Sequence, residues 1–96
     1  MSEAISASKA PRPVGSYPHA RRVGELLFLS GIGPRSPTDN SIPGNRYDAE
    51  GRLTGYDIAA QTRAVLTNVR AVLQASGARF EDLVDVTVYL TDMAAD

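Results

Sequence analysis

The sequence contains no cysteine and no tryptophan, a single lysine (Lys9) and a single histidine (His19). Without cysteine there is no disulfide framework, no thiolate metal site and no cysteine nucleophile. One histidine cannot build a cluster with metal-ligand spacing. Charge of either sign is not in excess: ten basic and eleven acidic residues leave a net charge of −1. No overall positive field is present to draw in RNA, DNA or an anionic membrane surface. Apolar runs are far too short to span a bilayer. The N-terminus also lacks a basic patch followed by an apolar stretch, so neither an anchor nor a signal peptide is read there. These absences predict a cytoplasmic protein with no nucleic-acid or membrane partner.

What is present is an ordinary globular composition, 43% hydrophobic and 22% charged over 96 residues. That length allows one domain. A compact monomer of 10.2 kDa would expose roughly 5,300 Å² and hold only a marginal core. Nine of the ten basic residues are arginines, whose planar donor fork suits carboxylates and phosphates; a coding bias toward arginine accounts for the same count.

Residues 1–14 are small, polar and punctuated by Pro11 and Pro13, and read as a flexible tail ahead of a domain over 15–96. His19 to Val23 and Glu25 to Ile32 read as strands joined by a tight turn at Gly24. The run Leu26-Leu27-Phe28-Leu29 is continuous, so a strand there needs cover on both faces. Gly33 to Tyr56 is a long loop with four of its glycines and three prolines, folding back in part as a hairpin around Asp48-Ala49-Glu50-Gly51.

Asp57 to Ser76 carries helical spacing at Ile58, Thr62, Val65, Val69, Val72 and Ser76, broadened by Leu66 and Leu73. Asp57 is the N-cap and Gly77 the left-handed stop. Val84 to Thr91 alternates as a strand, predicting a βαβ-type crossover with the helix on one sheet face. A single helix covers a single face, so a second copy of the chain is expected on the other. Thr91 to Asp96 reads as a cap and the first turn of a further helix, and the domain looks incomplete at that end.

These segments, in order, resemble the RidA/YjgF family of enamine and imine deaminases. The matching pieces are Gly15-Ser16-Tyr17-Pro18, Gly24-Glu25-Leu26-Leu27-Phe28-Leu29-Ser30-Gly31 and Gln61-Thr62-Arg63 through Leu66-Thr67-Asn68-Val69. Ala75-Ser76-Gly77 and Leu83-Val84-Asp85-Val86-Thr87-Val88-Tyr89-Leu90 complete the set. Within the family, Tyr17-Pro18-His19-Ala20-Arg21-Arg22, Ser30 to Arg35 and Tyr56-Asp57-Ile58 look like 2-aminomuconate deaminases. The resemblance implies an α/β (α+β) chorismate-mutase-like fold, a mixed sheet with helices on one face, present only in part. It also implies a homotrimer with active sites between subunits, and a family arginine and glutamate that lie beyond Asp96.

The implied reaction is hydrolysis of a C=N bond in an unsaturated amino acid, releasing ammonia, with no cofactor and no metal. Such chemistry needs a held carboxylate, one placed water and weakly acidic or polar groups to move protons. Tyr17 matches the family's active-site tyrosine; packing of the tail is its structural alternative. Ser30 interrupts an apolar strand and is either a pocket hydroxyl or one bonded to backbone. Nothing in the sequence places an acid or histidine to activate Ser30, which excludes a serine-hydrolase reading. Gly31 permits close approach of backbone to a ligand, or marks a β-bulge. Arg35 is placed to reach a second carboxylate, or is solvated. His19 moves protons, or is a strand histidine. Asn68, in mid-helix, is expected to tie a loop to the helix. A non-catalytic binding protein built on the same clefts, and a deaminase of broad specificity, are the alternative functions.

Overall fold

The computed structural model describes residues 2–96. Its first sheet is antiparallel in the order β1 (Ser2–Ile5), β2 (Ala20–Val23), β3 (Leu26–Leu29). The β2–β3 hairpin closes through Gly24 and Glu25, with Val23 paired to Leu26 and Ala20 to Leu29. Gly24 has φ 60°, the left-handed value that a two-residue hairpin turn demands and that glycine adopts without a Cβ clash. A second, two-stranded sheet joins β4 (Arg46–Tyr47) to β5 (Leu53–Gly55). Its turn is held by the Asp48 carboxylate, which accepts from the Glu50 and Arg52 amides at 3.0 and 2.8 Å. This is the hairpin anticipated around Asp48 to Gly51.

Helix α1 spans Ile58–Ala75. Asp57 caps it as expected, accepting from Ala59 N at 3.0 Å and Ala60 N at 3.2 Å. At the other end Gly77 takes φ 75°, and the Ala78 and Gly77 amides return to the Leu73 and Gln74 carbonyls, the Schellman arrangement. Arg22 adds a guanidinium donor to the Ser76 carbonyl, a cation at the negative end of the helix dipole.

The small core lies between α1 and one face of the first sheet: Ile5, Ala7, Ala10, Ala20 and Val72, with Leu27, Leu29, Ile32 and Ala71 packed against it. Alternation along β3 therefore divides the apolar run. Leu27 and Leu29 turn to the helix, while Leu26 and Phe28 remain 58% and 57% exposed. One helix covers one face, as argued from sequence. The buried stripe of α1 is rotated from the expected one, centring on Asn68 and Val72 and leaving Thr62 and Leu66 exposed.

Three expectations are corrected. Residues 1–14 do not behave as a tail over their described part, because Ser2–Ile5 pairs with β2 along its length and Ile5, Ala7 and Ala10 are core residues. The signal was the small size of those alanines: they fit where helix and sheet approach closely, and polar neighbours masked them. Val84 to Thr91 is not a strand. It runs uncovered, with Val84 at 92% and Tyr89 at 91% exposure, because alternation defines two faces but supplies no partner for the ladder. Consequently the crossover is not formed, and both sheets are antiparallel among the described residues rather than mixed. The terminal turn does follow its reading: Asp92 accepts from the amides of Ala94 and Ala95, and the Asp96 amide donates to the Asp92 carbonyl.

Candidate active site

A cleft of about 280 Å³ opens where three stretches meet: the chain from Ala10 to Val14, the entry to β2 at Tyr17 and His19, and the exit of β3 from Ser30 to Arg35. Its floor is the core residue Val72. All five candidate residues, Tyr17, His19, Ser30, Gly31 and Arg35, line it. The hairpin brings them together, because pairing Ala20 with Leu29 sets the residues before β2 beside those after β3.

The Tyr17 ring lies over Gly15, where a Cβ would come within 2.9 Å of it. Tyr17 is 42% exposed, and its hydroxyl has no hydrogen-bond partner among the described residues. Ser30 donates from Oγ to the Pro18 carbonyl at 2.7 Å, and its amide donates to the His19 carbonyl at 3.0 Å. The backbone-bonded alternative therefore holds for the Ser30 hydrogen, while its oxygen keeps acceptor capacity. A Cβ at Gly31 would meet nothing within 4 Å, so the chain's own packing does not demand glycine there.

His19 lines the cleft without being free to act in it. Nδ1 accepts from the Ala7 amide at 2.9 Å, and Nε2 donates to the Pro11 carbonyl at 2.7 Å in the matching tautomer. It fastens the N-terminal segment to the sheet, which is the structural alternative to the substrate-binding, proton-moving part expected of it.

Arg35 is held at both ends. Its carbonyl and that of Gly33 each accept from Asn68 Nδ2 at 2.9 Å, and Asn68 is only 3% exposed. This is the loop-to-helix tie expected of Asn68. At its tip, the guanidinium donates to Asn40 Oδ1 at 2.6 Å and to the Arg12 carbonyl. Asn40 and Arg12 were not anticipated. The available signal was Asp39-Asn40-Ser41, a turn triplet whose asparagine tolerates the left-handed region; Asn40 has φ 64°. No group of histidine, aspartate or glutamate residues able to hold a metal ion occurs among the described residues.

The family model described as endoribonuclease L-PSP matches residues 7–95. The chain belongs to the RidA/YjgF family. A RutC family protein of Pyrococcus horikoshii is 39% identical over 93 residues, covering 97% of this chain and 65% of that protein. The 2-iminobutanoate/2-iminopropanoate deaminase of Escherichia coli is 31% identical, with 97% and 63% covered. The chain thus spans just under two thirds of these RidA/YjgF relatives. Among solved structures, the E. coli YjgF gene product superposes with a TM-score of 0.68 at 29% identity, over 85% of this chain and 55% of that one. E. coli TdcF with bound serine superposes with a TM-score of 0.67 at 29% identity, over 83% and 54%. The α+β fold is that of the RidA/YjgF proteins.

Proposed function

We propose that this protein is a deaminase that hydrolyses the C=N bond of an imine formed from an unsaturated amino acid. Water adds to the imine carbon, the C–N bond breaks, and ammonia and a keto acid leave. The observation that carries the reading is the convergence of Tyr17, Ser30, Gly31 and Arg35 on one cleft. A relative named for the deamination of 2-iminobutanoate and 2-iminopropanoate supports it.

In this reading the Tyr17 hydroxyl, unclaimed by the protein, donates to the substrate or to the attacking water. Ser30 donates its hydrogen bond to the Pro18 carbonyl, and its oxygen lone pairs accept from the iminium N–H or from water. The open space at Gly31 admits substrate against backbone. Arg35 supplies a cation for a carboxylate. Neither a cofactor nor a metal enters the scheme. The partner is a small unsaturated amino acid, with 2-aminomuconate as the finer assignment. The protein works as a homotrimer whose subunits cover the bare face of the first sheet and complete the cleft.

Ammonia release by the full-length protein, assayed with 2-aminomuconate and with 2-aminoacrylate-derived imine, tests the reading. Turnover of either, lowered at least about tenfold by Tyr17→Phe, is the expected result. Binding of both without turnover makes the protein a non-catalytic receptor. Nuclease activity that survives thorough purification and is lost in Tyr17→Phe overturns the exclusion of nucleic acid as a partner.

A further inference from the structure

The guanidinium of Arg35 is fixed but not neutralised. Its two acceptors, Asn40 Oδ1 and the Arg12 carbonyl, are both uncharged. The ion pair found among the described residues joins Arg79 to Glu81, remote in sequence from the cleft. No aspartate or glutamate lines the cleft, whereas Arg12 and Arg35 both do. The nearest acid in the sequence, Asp39, turns its carboxylate into its own loop, where Oδ1 accepts from the Ser41 amide at 2.9 Å and the Ser41 hydroxyl at 2.7 Å.

That loop is built to present Asn40. The Ser36 amide donates to the Ser41 carbonyl and the Asn40 amide to the Ser36 carbonyl, closing the ring of backbone. The Ser36 and Thr38 hydroxyls bond across it. Asn40 at φ 64° is then aimed back at Arg35. A fixed cation in a wall without acids attracts an anion and loses little side-chain entropy in binding it.

We propose that the Ser36–Ser41 loop is a specificity element: Asn40 positions Arg35 to take a second carboxylate, so that the cleft selects dianionic over monoanionic ligands. This rests on the deaminase reading for its place in catalysis, but anion selectivity is measurable without turnover. Asn40 is a positioning residue, acting through Arg35.

Isothermal titration calorimetry of the full-length protein with trans,trans-muconate and sorbate compares two and one carboxylates on the same carbon frame. Muconate is expected to bind about tenfold more tightly or better, with the preference falling as salt is added. Asn40→Asp keeps the backbone conformation and the hydrogen bond while placing a carboxylate against the guanidinium. It is expected to unfold at no lower temperature than the parent and to lose most of the preference; Arg35→Gln is expected to lose it as well. Equal affinity for the two probes, binding of neither, or a preference intact in Asn40→Asp overturns the proposal. Absence of ammonia release with the muconate preference present would overturn only the deaminase reading. Release without the preference would overturn only this one.

Discussion

At the scale of single residues, side chains that share one cleft do different work, and their hydrogen bonds tell them apart. Tyr17 has a hydroxyl with no protein partner among the described residues, whereas both nitrogens of His19 are engaged. His19→Ala is expected to accelerate hydrogen exchange at the Ala7 amide, which would lose its acceptor, while exchange within α1 changes little. Unchanged exchange at Ala7 would mean that the segment is held by β1 pairing alone. Asn68 carries a larger consequence, because its amide serves two carbonyls from a buried position. Asn68→Leu is expected to cost about 1–2 kcal/mol in urea unfolding, since two loop carbonyls lose the donor that ties them to the helix. The same substitution should disorder the Gly33–Arg35 backbone and weaken anion binding in the cleft.

At the scale of elements, the well-read segments are those whose termini carry their own chemistry. Asp57 and Gly77 delimit α1 because a carboxylate can reach free amides at one end and a residue without Cβ can turn left-handed at the other. Residues 36–41 form an element of the same kind, a loop closed by its own side chains. Ser41 holds the Asp39 carboxyl below its ordinary value, through its hydroxyl first and its amide second. The loop's stabilisation is present above the unfolded carboxyl's titration, near pH ~3.9, and is lost as pH falls through the folded value. Ser41→Ala is expected to raise the Asp39 titration midpoint toward the ordinary carboxylate value in a carboxyl-detected NMR titration.

At the scale of the whole molecule, surface is what the chain has in surplus. It exposes 7206 Å², against roughly 5,300 Å² for a compact protein of this mass. Its extents of 50 × 28 × 19 Å describe an elongated body. The surplus is apolar in two places, the open sheet face with Val23, Leu26 and Phe28, and the stretch from Val84 to Met93. Single exposed hydrophobic residues are ordinary, but contiguous ones mark a contact surface. Phe28→Asp, central on the open face, is expected to shift the full-length protein from the proposed trimer to monomer in light scattering. A trimer that persists would place the interface elsewhere.

The residues of the candidate site were legible in the sequence, and their hydrogen bonds were not. Tyr17, Ser30, Gly31 and Arg35 stand out as a polar or flexible set around an apolar strand. Whether Ser30 spends its proton on Pro18, or His19 both nitrogens on the N-terminal segment, depends on backbone groups 8 to 12 residues away. The N-terminal strand was missed for the same reason, since Ser2–Ile5 has little strand character and is recruited by the free edge of β2.

Sequence by itself determined the local and periodic features: the capped amphipathic helix, the Gly24 turn, the Asp48 turn, and the division of β3 into two apolar faces. Each depends on interactions within a few residues, where side-chain spacing and backbone preference act directly. Tertiary structure alone decided that residues 2–10 are framework, that Val84–Thr91 lacks a strand partner, and that Asn40 and Arg12 fix Arg35. Those outcomes turn on which distant groups meet, and pairing energies between distant groups leave no periodic mark in either partner's sequence.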